Sequence, residues 1–460
     1  MDDVMRNPLA SEKISKLVTR FTIPAIISMV VSSLYNIVDQ IFIGQGVGLL
    51  GNEATNIAFP ITTIGAAFFL TLGIGGASNY NLRAGEGRSE EAKYFAGNSM
   101  AALVLVGAIL LVVIELFLDP LLHLFGSTQE AMELSRQYAG ITAIGLPFWS
   151  LQIGGNHMVR ADRSPKYSML CMLVGAIINI ILDPIFIFKC GWGIKGAAWA
   201  TVIGQMAACF MVVVYFAGFS RMKLKKKHFR IAAKNIKMII GLGMASGINQ
   251  IALALVQIVM NNVLRKYGAE SVYGADIPLA VVGIVAKVNM VFFAIAIGLT
   301  QGCQPIFGFN YGAKLYSRVR ETYRTAAKAA IIVGIIFFAC FQIFPRVIIS
   351  WFGGGSEEYY HFAELYFRIF MLLTFINGIQ PMSSGFFSSI GKAKLGMIVS
   401  LTRQVIFLIP LAIIFPIYLG IEGVVYSGPI SDAAAAVLTI VFVVRECRIM
   451  KEAERVSAGT

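Results

Sequence analysis

Twelve apolar stretches of roughly twenty residues or more follow one another along this chain, from 21–43 to 422–444, with short polar breaks between them. Each is long enough to cross the hydrocarbon core of a bilayer as a helix, about 30 Å. In lipid every backbone N–H and C=O must pair internally, so a chain with this rhythm can fold as a bundle of membrane-crossing helices and as little else. The rest of the composition agrees. The chain is 57% hydrophobic and 14% charged, with a mean hydropathy of +0.74, where a soluble domain carries about a quarter charged residues.

The net charge of +13 does not point to nucleic acid, because the basic residues sit in short clusters between the apolar runs. With the N-terminus placed in the cytoplasm, 29 of the 38 Lys and Arg fall in the tails and loops of that side, and six fall opposite. Such a bias sets topology. The expectation is a multi-pass protein of the inner or plasma membrane with both termini cytoplasmic, surrounded by lipid and working as a monomer. The polar start is followed by a full-length span and is not expected to be a cleaved leader. The six cysteines are scattered without a CxxC or Cys/His cluster, so neither zinc nor a disulfide framework is implied.

The two halves resemble each other. Ala54 to Gly73 aligns without a gap on Leu279 to Gly298, a shift of 225, and GIKGAAWAT (193–201) aligns on GIEGVVYSG (420–428). Six spans per half put both halves the same way up, and a parallel repeat of this kind is a transporter signature. The predicted fold is all-α, 12 transmembrane helices in two pseudo-symmetric six-helix lobes. Residues 1–220 form the N-lobe, 221–237 a basic cytoplasmic linker, 238–446 the C-lobe and 447–460 a cytoplasmic tail.

Charges inside spans are costly and mark function. Asp39, Asp183, Lys287, Arg368 and Arg403 are the candidates. Asp39 lies about 28 Å along its helix from Arg20, and Asp183 about 26 Å from Lys166, so the two share one depth. Thr201 and Tyr138 fall in the same outer zone, and Asn179 is one turn before Asp183 on the same face. Pro184 removes a backbone donor and disfavours helix at Asp183. A carboxylate with an amide, a hydroxyl and loosened carbonyls suits a proton or a small cation such as Na⁺; the competing reading is that Asp183 caps or kinks its helix. In the second half, Gln257 and Pro410 stand where the aspartates would be, so the ionic function is expected in the first half. Lys287 should face a cavity or find a partner, and Arg403 should snorkel inward. Met206, Met260 and Phe292, with Gln257 and Lys287, are candidate lining of a substrate cavity.

These residues resemble the multidrug and toxic-compound extrusion (MATE) family over nearly the whole chain. The features are Pro24 and Asp39 in span 1, NIILDPIFIF followed by GWGIKGAAWAT, and QGCQPIFGFNYGA in the second half, which looks most like the MepA-like bacterial branch. The resemblance implies alternating access and export of cationic, amphipathic compounds by antiport with H⁺ or Na⁺. It implies a cation site at Asp39, Asn179, Asp183 and Thr201, with Tyr138 nearby, and bending of span 1 at Pro24. A flippase for lipid-linked or polysaccharide intermediates is the alternative. No nucleophile constellation or phosphate loop suggests an enzyme. Neither a resident cofactor nor a metal is expected, apart from Na⁺ at the two aspartates.

Overall fold

The computed structural model describes residues 5–352 and 355–459, and contains helices and no strand among them. The first six passes are α1 (Ile14–Gly46), α2 (Leu49–Gly85), α3 (Ser89–Leu116), α4 (Gln129–Ser150), α5 (Pro165–Pro184) and α6 (Gly193–Val214). The second six are α7 (Ala233–Ala269), α8 (Asp276–Gly312), α9 (Tyr316–Ile343), the bent α10 (Glu357–Phe370 with Thr374–Ser389), α11 (Ala393–Leu419) and α12 (Ile421–Gly459). Ten of these are long and apolar enough to span a bilayer by themselves, and the two arms of α10, at 51°, make an eleventh. The fourth expected pass, 137–159, falls in the continuous helical run from Gln129 to Ala161.

One helix changes pitch where a break was expected. The Asp183–Pro184 step does not end α5; the chain continues as a π-helical turn, Ile185–Lys189. A wider turn relieves the clash of the proline ring without leaving the helix axis. Pro24 likewise lies inside an unbroken α1.

The halves meet at the end that carries both chain termini. There α1 packs on α8 and α2 on α7, and small residues let the backbones touch. A β-carbon on Gly243 would lie 1.8 Å from the Thr71 carbonyl oxygen, and one on Gly298 would lie 2.6 Å from the Ile26 Cα. Around these contacts, Asn79 donates to the Met238 carbonyl (3.2 Å), Asn310 to the Leu9 carbonyl (3.0 Å), and Arg318 to the Leu9 and Glu12 carbonyls. Among the described residues, no ion pair joins residues 5–220 to 238–459; every one lies within a half or ties the linker to the first half. Toward the far end, α7 is exposed around about half its circumference between 251 and 262.

The linker is not a loose strap. Asn98 of α3 donates to the carbonyls of His228 and Arg230 (2.9 Å each) and accepts from Ala232 N–H at 2.8 Å. His228 is buried, with its ring edge-on to Tyr94. Its Nδ1 accepts from Lys225 N–H, so its Nε2 donates to Glu90 at 3.1 Å.

Candidate cation-coupling site

The aspartates of α1 and α5 meet inside the first half. Both are buried, Asp183 completely, and their carboxyls lie within hydrogen-bonding reach of each other. Asn179 donates through Nδ2 to Asp183 Oδ1 and to Thr201 Oγ1, at 3.3 Å each. The meeting of α5 and α6 depends on two glycines. Gly175 and Gly204 face each other so closely that a β-carbon on Gly204 would lie 2.7 Å from the Gly175 carbonyl oxygen. Asn179 is one turn beyond that crossing on α5 and Thr201 nearly one turn away on α6, so the crossing brings amide and hydroxyl together.

One turn further toward the far end, the same three helices turn apolar. Ile43 follows Asp39 by four residues, Ile187 follows Asp183 by four, and Ala197 precedes Thr201 by four; together they form a buried cluster with Tyr138 packed on it. A polar pocket thus sits beneath a greasy cap. Within the pocket Asp39 Oδ1, Asp183 Oδ2 and Asn179 Oδ1 are buried acceptors with no hydrogen-bond partner. Buried acceptors are ordinarily satisfied, and two carboxylates in contact cannot both carry charge without a cation or proton between them. The donor set is all oxygen, which suits H⁺ or a hard cation. Tyr138 is close enough to both carboxyls to feel their charge, and so is Tyr35, one turn before Asp39. The sequence reading does not name Tyr35 as a site residue. Its i, i+4 spacing from Asp39 was the available signal.

The expected cavity residues separate. Met206 is 42% exposed and Gln257 is exposed, its amide donating to Asn261. Lys287 is exposed and has no hydrogen bond or ion pair among the described residues. Met260 and Phe292, in contrast, are buried within the packing of the second half, Phe292 against Phe293 and Phe337. They line no open surface in this conformation, because the apolar faces of α7 and α8 that carry them turn inward. Arg403 does not snorkel. It is buried, bonded through Nε to Asp432 of α12, and Asp432 also accepts from Asn377 at 2.7 Å. Asp432 went unnoticed in the sequence although it is a lone acid in an apolar run, the same signal that marked Asp39.

Two bundles of six helices with this site in the first are accompanied by a decisive likeness: the profile of the MatE family matches residues 24–185 and 245–414. The chain belongs to the MatE family. The matched segments of this MatE protein run from Pro24 to just past Pro184 and so include Asp39, Asn179 and Asp183, while Thr201 falls between them. Among similar proteins is the multidrug export protein MepA of Staphylococcus aureus, 24% identical over 440 residues and covering 94% of each chain. The MepA of Staphylococcus haemolyticus is 24% identical, over 94% of this chain and 93% of its own. Among solved structures, the MATE multidrug transporter DinF-BH in complex with R6G is 36% identical, with a TM-score of 0.87 over 95% of this MatE chain and 96% of that one. The outward-facing conformation of a multidrug resistance MATE family transporter of the MOP superfamily is 23% identical and superposes with a TM-score of 0.90 over 98% of both chains.

Proposed function

We propose that this MatE protein is a secondary active transporter of the plasma membrane that exports cationic, amphipathic compounds by antiport with H⁺ or Na⁺. The observation that carries the reading is the buried Asp39–Asp183 pair, whose two unpartnered oxygens lie with that of Asn179. Such a pair binds a proton or small cation, and a membrane potential or ion gradient can then do work through it. The multidrug names of MepA and DinF-BH support the substrate class. With both termini in the cytoplasm, the seam between halves closes the cytoplasmic side, and the conformation opens outward.

The structure of α1 supplies a link between site and seam. Asp39 is near one end of this helix. Near the other, Thr22 and Ile26 pack against Gly302 and Gly298 of α8. Pro24 lies between those two contacts and, having no N–H, leaves the carbonyl a turn earlier without its helical partner. A cation bound at Asp39 can therefore bias the seam through a helix with one soft point in it. An ion drives the cycle only by the difference in its affinity for the two conformations.

The test is ethidium efflux from proteoliposomes with pH and Na⁺ gradients imposed separately. At least one gradient should drive efflux, and a chain that responds to neither is not an antiporter of this kind. The flippase reading draws on exposed, unpartnered Lys287, which could meet an anionic headgroup. It requires translocation of a fluorescent lipid-linked sugar in the same vesicles, abolished by Lys287→Gln, with ethidium left behind.

A further inference from the structure

A second polar feature lies at the opposite end of the same two helices. Between the N-terminal ends of α1 and α5 is an open cavity of about 600 Å³, lined by Lys16, Arg20, Arg163, Lys166, Tyr167 and Leu170. Four of its residues are cationic and none is acidic. Arg20 is paired with Glu12 at 3.2 Å. Lys16, Arg163 and Lys166 have no carboxylate partner among the described residues, and Arg163 donates only to the neutral Asn7 side chain. The nearby Asp162 does not neutralise them: its Oδ2 is taken up by Tyr215, Ser220 and the Arg221 N–H. The first turn of α5 adds backbone N–H groups and the positive end of a helix dipole beside the same cavity. Three unneutralised cations gathered in one concave site repel one another unless an anion joins them.

The surroundings say which kind of anion. From the cavity, α1 runs on with exposed Ile23 and Ile27, and α5 with exposed Leu170, Ile177 and Ile181. On each helix the apolar residues continue the stripe that begins with Lys16 and Arg20, or with Lys166, at spacings of three, four or seven. A cationic pocket at the membrane boundary is thus continuous with aliphatic stripes that enter the bilayer on both adjoining helices. That pattern matches a molecule with a phosphate head and hydrocarbon chains, and basic pockets between transmembrane helices on the cytoplasmic side bind such heads.

We infer that the cleft between the N-terminal ends of α1 and α5 is a binding site for an anionic phospholipid of the leaflet on the terminus-bearing side. The headgroup phosphate meets Lys16, Arg163 and Lys166, and the chains lie along the Ile23–Ile27 and Leu170–Ile181 stripes. Such a lipid fastens the start of α1, the helix that carries Asp39, to the start of α5, the helix that carries Asp183. The inference does not depend on the transported substrate or the coupling ion.

Native mass spectrometry of the detergent-solubilised chain tests it, with phosphatidylglycerol and phosphatidylcholine of the same acyl chains as probes and inorganic phosphate as a third. The expected result is preferential retention of phosphatidylglycerol. Each basic residue near an anionic surface contributes roughly fivefold to attraction, so Lys16→Gln/Arg163→Gln/Lys166→Gln should lower the preference by about a hundredfold. The exposed single variant Lys166→Gln, which disturbs no pairing, should lower it about fivefold and keeps the test open if the triple variant fails to fold. Lys314→Gln/Lys328→Gln/Lys394→Gln removes the same charge from elsewhere in the chain and should leave the preference in place. Equal retention of the two lipids would overturn the inference. So would equal loss in both triple variants, or retention of inorganic phosphate as strong as that of phosphatidylglycerol, which would mark a simple anion site.

Discussion

Five carboxylates are buried among the described residues; three of them have a cation or several donors on one oxygen, although Asp162 Oδ1 and Glu446 Oε1 have no partner. Asp432 has Arg403, Glu446 has Lys392, and Asp162 has two hydroxyls and a backbone N–H. Asp39 and Asp183 have each other and Asn179. This contrast separates what substitution should do. Asp432→Asn strands Arg403 in the second half without its countercharge, and should destabilise the protein by about 3–5 kcal/mol, read as a lowered unfolding midpoint in detergent; Asp432→Asn with Arg403→Met should recover most of the loss. Asp39→Asn and Asp183→Asn remove a charge that has no protein cation to pair with. They should leave the midpoint within about 1 kcal/mol of wild type and reduce gradient-driven ethidium efflux to the level of protein-free vesicles. Gln257→Ala, exposed and without a titratable group, should change efflux by no more than about twofold. Asp39, Asn179, Asp183 and Thr201 were legible as a group because depth in a membrane helix follows from counting residues. The pairing of Arg403 with Asp432 depends on how helices are rotated against one another, and counting does not supply that.

Among the elements, α1 and α7 carry the contacts that the proposed alternating access would break. Gly243 has no room for a side chain against Thr71, so Gly243→Val should hold α7 off α2 and populate the state with this end open. Spin labels at positions 88 and 314, both beside the seam, should report a longer distance in that variant, with slower efflux; an unchanged distance would mean the seam is not the moving part. The proline steps were visible in the sequence as places where a helix changes, but not the manner of change. At Pro184 the chain widens into a π-turn instead of ending, and Ile187 in that turn joins the apolar cap. The linker, read only as basic and polar, is fixed by Asn98, a single amide within an apolar helix. Its pH dependence can be signed. The Lys227 ammonium, with His228 and Lys93, holds the Glu90 carboxyl well below the usual carboxylate range. Its tie is therefore fully present above the ordinary glutamate value and is lost only as pH falls through the depressed one. Limited proteolysis of the linker should show constant protection from pH 8 down to about 5, and more cutting in Glu90→Gln at every pH in that range.

Taken whole, the molecule is a sequence repeat whose halves have diverged in chemistry. The repeat and the number of passes could be read from hydropathy, since lipid enforces helix length. The different electrostatic fates of the halves could be read only in part: the first keeps an unpaired acid couple, and the second seals its two buried acids with an arginine and a lysine. The seam between them has a consequence for the environment in which the protein can operate. It consists of small residues, backbone contact and hydrogen bonds to carbonyls, with no cation–carboxylate pair crossing it among the described residues. Raising ionic strength from about 0.01 to 1 M shortens the screening length from about 30 to 3 Å. That change weakens exposed ion pairs and leaves close-packed glycines untouched. With the driving ion gradient held fixed by an impermeant, chemically different salt on both sides, the turnover of wild-type protein in vesicles should vary by less than about twofold across that range. A gate built without ion pairs leaves the acid couple as the electrical input of the proposed cycle, so a cell that swells, shrinks or meets brine would not thereby open or jam its own exporter.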